Sequence, residues 1–119
     1  VTVYKSGLKQ WPVGTNNGAV FSIDGDKGAN IWVDLTIVNG GSITVKLQAG
    51  SPGGNWVDVP GAVTAAIAGV GGSLLKIYPA LTPVANQVVA GVLGGGAYRF
   101  VGTVTGGAPT ASITVESIA

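Results

Sequence analysis

Acid–base catalysis by a pair of carboxylates would have to draw on five residues: Asp24, Asp26, Asp34, Asp58 and Glu116. The chain has no His, Cys or Met. Those absences exclude a Ser-His-Asp triad, a Cys nucleophile, a Zn site of Cys or His ligands, disulfides, and haem ligation through His, Met or Cys. Asp34 and Asp58 each sit in an alternating run, opposite the apolar set, where a half-exposed sheet carries ordinary solvent-facing charges. Raising a carboxylate pKa for proton transfer requires a buried pocket, and no stretch announces one. The expectation is a protein that is not an enzyme, with no catalytic residue and no cofactor.

Other constellations have equally plain readings. Asp24-Gly25-Asp26 places two carboxylates in a glycine turn, a start for oxygen ligation of Ca²⁺. The further acidic positions and distal Glu of an EF-hand loop are missing, so a solvated turn and no metal are expected. Gly94-Gly95-Gly96-Ala97 leads into Tyr98-Arg99-Phe100 rather than Gly-Lys-Ser/Thr. It reads as a flexible hairpin loop, not a phosphate cradle. Trp11, Trp32 and Trp56, with Tyr4, Tyr78 and Tyr98, could stack on sugars. Trp32 lies opposite Ile31, Val33 and Leu35, the outward position a carbohydrate-binding module would use. Burial in the core, or anchoring at an interface, is the favoured role for these rings.

The elements that would position these residues have a period of two. Ile31, Val33, Leu35 and Ile37 alternate with Trp32, Asp34 and Thr36; Ile43, Val45, Leu47 and Ala49 alternate with Thr44, Lys46 and Gln48. Asn39-Gly40 lies between the two runs, which predicts a hairpin. Ser51-Pro52-Gly53-Gly54-Asn55 is a second turn, before a short strand Trp56–Val59 stopped by Pro60-Gly61. The glycine content of residues 61–73 argues against a helix. Further strands are expected at Ala19–Ile23, Leu74–Tyr78, Asn86–Leu93, Tyr98–Val104 and Ser112–Glu116. Seven or eight short strands between Gly/Pro/Asn turns predict an all-β fold: a single antiparallel β-sandwich, immunoglobulin-like or jelly-roll-like.

The first eighteen residues read differently. Gly7, Pro12, Gly14, Asn16, Asn17 and Gly18 break any long element, and Val3, Tyr4, Leu8 and Trp11 are embedded among them. This predicts an N-terminal arm over 1–18 ahead of a sandwich domain over 19–119, with those four side chains as partner-binding anchors; the alternative is an ordinary first strand over Val1–Lys5 and a loop, both packed on the chain's own core.

Charge bounds the partners. Six Lys+Arg against five Asp+Glu leave +1 over 119 residues, and 9% of residues are charged, against about 25% in an average domain. A monomer of this size should expose roughly 5,900 Å², so charges are thinly spread. Such a surface favours association with copies or partners. It is a poor match for duplex DNA, and no nucleic-acid partner is expected. The longest uncharged stretch, Ile77–Tyr98, contains Pro79, Pro83 and Gly94-Gly95-Gly96, so no membrane span or membrane partner is expected. No signal peptide is visible in the given residues, where Lys5 and Lys9 run into Trp11-Pro12; a leader or initiator Met removed ahead of Val1 stays open.

Two stretches carry a family resemblance. One is Ile43-Thr44-Val45-Lys46-Leu47-Gln48-Ala49, the Ser-Pro-Gly-Gly turn, and Asn55-Trp56-Val57-Asp58-Val59-Pro60-Gly61-Ala62. The other is Tyr98–Gly106 with Pro109 and Ser112–Glu116. Together they resemble small structural proteins of tailed bacteriophages, the capsid decoration (cement) and related virion proteins, over about residues 30–119. The resemblance implies a β-sandwich without enzymatic activity that binds the outside of a phage head, as a homotrimer, with the major capsid protein as partner. It places the chain in the virion, at the capsid surface. A tail or fibre subunit, or a carbohydrate- or surface-binding module, is the alternative.

Overall fold

Alternating apolar residues produce four long strands, and these make the centre of the molecule. In the computed structural model, which describes residues 1–119, they are Gly28–Ile37 (β5), Ser42–Gly50 (β6), Gly96–Thr105 (β10) and Thr110–Ile118 (β11). Their inward residues are fully buried: Ile31 and Val33 on β5, Ile43, Val45 and Leu47 on β6, Phe100 on β10, Ile113 and Val115 on β11.

Shorter strands complete two sheets. They are Thr2–Lys5 (β1), Lys9–Gln10 (β2), Gly14–Asn17 (β3), Phe21–Ile23 (β4), Trp56–Val63 (β7), Gly71–Tyr78 (β8) and Val88–Ala90 (β9). The first sheet runs β1-β11-β5-β8-β9, with β2 also on β11. The second runs β3-β10-β6-β7, with β4 also on β10. All pairings are antiparallel except β8 with β9. The expected all-β sandwich is therefore the observed architecture, with one apolar core between the sheets.

The hairpin expected around Asn39-Gly40 does not form. β5 pairs with β11 and β8, whereas β6 pairs with β10 and β7. Val38–Gly41 is instead an arch that carries the chain from one sheet to the other. Ala29 to Leu35 on β5 and Ile43 to Leu47 on β6 bury their apolar rows, so these rows meet across the core rather than side by side. Asn39 (φ 57) and Gly40 (φ 70) supply the left-handed turn. β10 and β11 are joined by a second arch, and the two arches touch. Asn39 Nδ2 donates to the Ala108 carbonyl at 3.1 Å, and a Cβ on Gly41 would overlap the Gly107 carbonyl oxygen.

The Ser51–Asn55 turn does close a hairpin, between β6 and β7, with Ser51 N–H on the Asn55 carbonyl at 2.7 Å. β7 continues through Pro60-Gly61, where a stop was expected. As an edge strand it tolerates the missing N–H, and its ladder with β6 is irregular there. Thr64 then restores contact: its N–H donates to the Val45 carbonyl at 2.8 Å and its Oγ1 accepts the Val45 N–H at 3.0 Å. The strand expected over Asn86–Leu93 shrinks to Val88–Ala90.

The N-terminal eighteen residues do not stand apart as an arm; this boundary is corrected. β1 and β2 pair with β11, and β3 pairs with β10. The segment thus clasps one lateral side of the sandwich, passing from the first sheet to the second. Its glycines and Pro12 break it into pieces of two to four residues, each short enough to follow a different edge.

Candidate functional site

Of the four predicted anchors, three belong to the chain's own packing. Trp11 is 2% exposed. Its Nε1 donates to the Ala111 carbonyl at 3.0 Å, and its ring meets Phe100 edge-on at 5.6 Å. Tyr4 packs between Phe21 and Phe100, with ring centres 5.9 and 5.0 Å away, and burial pushes its hydroxyl pKa up. Val3 is partly buried against the same core. The reason is geometric: once β1 and β2 lie on β11, inward side chains fall between the sheets. Leu8 alone stays open, at 62% exposure.

Leu8 has company. Register places Ile37 beside Thr110, at the arch end of the sandwich. Val13 precedes Gly14, the partner of Val104, and Val70 precedes Gly71, the partner of Leu35. All four side chains are more than half exposed. The arch end therefore presents an apolar rim, with Lys9 beside Leu8 as a flanking charge, a surface suited to another protein rather than to bulk water.

The outer face of the second sheet carries a polar network. Lys46 Nζ lies 3.1 Å from Asp58 Oδ1, and Gln48 Nε2 donates to the same oxygen at 2.9 Å. Gln48 Oε1 in turn accepts Arg99 Nε at 2.9 Å, and the Arg99 guanidinium stacks over Trp56, 4.6 Å from the ring centre. Strict alternation on β6, β7 and β10 sends these residues outward together. Gln48 and Arg99 were not singled out from sequence, though that alternation was the signal that could have found them.

This network makes a pH prediction. The Gln48 amide and then the Lys46 ammonium hold the Asp58 carboxyl below its usual value. A carboxylate with a depressed folded pKa adds stability that is present above its unfolded pKa. That stability is lost as pH falls through the folded value. Gln48→Ala should move the Asp58 titration, followed by carboxyl NMR shifts, up toward the ordinary carboxylate range. An unmoved titration would show that the amide contact does not matter.

The other candidates stay dispersed. Asp34 and Asp58 lie on outer faces of different sheets. Glu116 Oε1 accepts Trp32 Nε1 at 2.7 Å, so the outward face of β5 has its aromatic tied to a neighbouring strand. No three His, Cys, Asp or Glu side chains gather where one metal ion could sit. The largest cavity, about 370 Å³, lies on the lateral side opposite the N-terminal segment, between Thr64–Ile67 and Ser73–Leu74. It holds no titratable side chain.

No family model matches the chain, and no curated protein matches it. Among solved structures, a chain in the structure of infectious bursal disease virus, Gx strain, aligns with 99% of this chain at 14% identity and a TM-score of 0.47. This chain spans about 30% of that chain's length.

Proposed function

We propose that this protein is a non-enzymatic virion structural protein, a decoration subunit that binds the outer surface of a tailed-phage head and stabilises it. The observation that carries the reading is the arch-end rim of Leu8, Val13, Ile37 and Val70 on a surface of 5718 Å² that is thinly charged and nearly neutral overall. Apolar patches poor in charge are what a shell-bound subunit presents to its neighbours. The resemblance of residues 43–62 and 98–116 to phage virion proteins supports the choice of partner. Near-neutrality lets many copies dock side by side without self-repulsion.

The test is co-expression with the major capsid protein of a tailed phage, then sedimentation of assembled heads and negative-stain imaging. Saturable co-sedimentation, with added density on the outside of the shell, is the expected result. Binding should change little between about 0.1 and 1 M salt, because there is little charge to screen. Ile37→Asp together with Val70→Asp should reduce it strongly. Heads that sediment bare, with the protein left soluble, would overturn the proposal.

A further inference from the structure

On the lateral side away from the N-terminal clasp, the first sheet ends in an uncovered half-edge. β9 pairs with β8 only over Lys76–Tyr78. Lys76 N–H donates to the Gln87 carbonyl at 2.9 Å, which fixes the side its main chain faces. Main-chain groups point alternately to the two sides of a strand. Leu74 and Gly72 therefore face the same way as Lys76, beyond the start of β9, while β5 lies on the other side. Their two N–H and two C=O groups bond nothing in the chain. Folded proteins guard such edges with charge, proline or a covering loop. Here residues 59–75 contain no charged side chain, the one carboxylate beside Gly72 is the far end of the exposed Asp34 side chain of β5, which can swing aside, and the 370 Å³ cavity opens beside Ser73 and Leu74.

We infer that this edge is where two copies of the chain join, β8 to β8, about a two-fold axis through Ser73. The register follows from parity. With Ser73 opposite the partner's Ser73, Gly72 meets the partner's Leu74 and Leu74 meets the partner's Gly72. Both are pairs of outward-facing residues, so each exchanges two main-chain hydrogen bonds. All four unpaired groups of each copy are then satisfied. A register centred on Leu74 would instead set Gly72 against Lys76, whose N–H already belongs to Gln87.

Side chains agree with that register. Leu74 is half-buried on the outer face, opposite Trp32, and Gly72 has no side chain. Each leucine therefore lies over the other copy's glycine, the self-complementarity an isologous contact requires. Lys76 lies outside the paired stretch, so no like charges are brought opposite one another. Gly71, at φ 134, turns the preceding chain off the strand line, and the pairing stops there. The contact does not depend on head binding. In a trimer it would link one trimer to the next.

Ser73→Cys tests it directly, because the chain has no other thiol. Residues in a non-hydrogen-bonded antiparallel pair have Cα atoms about 4.5 Å apart, within disulfide range. Under mild oxidation Ser73→Cys should form a disulfide dimer at least about tenfold faster than Thr44→Cys, on the outer face of the other sheet. Leu74→Pro removes an outward N–H from each copy and no internal bond. It should slow Ser73→Cys cross-linking about tenfold while circular dichroism shows a folded protein. If it unfolds, Leu74→Lys keeps the backbone and removes the apolar cover, and should slow the reaction likewise. Cross-linking no faster than the Thr44→Cys control, or indifferent to the substitution at Leu74 in a folded protein, would overturn the two-fold contact. Loss of head binding alone would not.

Discussion

Trp11→Ala is expected to destabilise the fold by about 3–5 kcal/mol, the range for deleting a large buried aromatic. Three losses combine. The indole leaves a cavity against Phe100. The Ala111 carbonyl loses its Nε1 donor in a buried setting. The segment between β2 and β3 keeps its main-chain bond from residue 11 to the Pro109 carbonyl but loses the buried side chain that pins it to the core. Urea unfolding followed by circular dichroism reads the change. Deleting residues 1–12 should go further, uncovering β11 and leaving little folded protein. A truncated chain that melts like the intact one would show that the clasp is dispensable and that these residues are free to act elsewhere. Leu8→Ala is the internal contrast: at 62% exposure it should leave stability within about 0.5 kcal/mol.

Gly41→Ala should cost about 3 kcal/mol, at the upper end of what overpacking usually costs. The two arches meet backbone to backbone. A methyl group on Gly41 collides with the Gly107 carbonyl, and one on Gly107 collides with the Asn39 carbonyl. Neither neighbour is a side chain that can swing away. Gly40→Ala makes the comparison informative, since nothing lies near its Cβ and only its φ of 70 opposes the change. It should cost about 1 kcal/mol. Thermal melts of the two variants side by side separate close approach from backbone conformation. Equal losses would mean that the arches can move apart freely.

The long strands were legible because a two-residue period survives over five to seven positions. Ile31–Ile37 and Ile43–Ala49 announce themselves, and so do Tyr98–Val104 and Ser112–Glu116. Their partners were not legible. Asn39-Gly40 serves a hairpin and an arch alike, and only burial of both strands' inner rows decides between them. The N-terminal pieces are two to four residues long, too short for a period to show, so Trp11 read as a free anchor when its Nε1 in fact bonds Ala111. Pro60-Gly61 read as a stop because edge position, which makes proline tolerable, is a property of the assembled sheet. At the surface, Leu8 was grouped with Val3, Tyr4 and Trp11 as an anchor, and nothing in its sequence neighbourhood marks it as the one that stays exposed. The rim it shares with Ile37 and Val70 depends on strand register, which sequence alone does not give.

The pairing of β1 with β11 has a mechanical consequence. Thr2 lies opposite Glu116 in an antiparallel ladder, and the Val1 ammonium donates to the Ser117 carbonyl at 3.0 Å. A load pulling residues 1 and 119 apart therefore acts across the ladder rather than along it. Bonds open one after another, like a zip, instead of sharing the force. β1 peels off early while β5, β6 and β10 keep their neighbours. Tension from the chain ends is the direction in which this domain yields, whereas force applied through its arch-end rim meets the long central strands along their length.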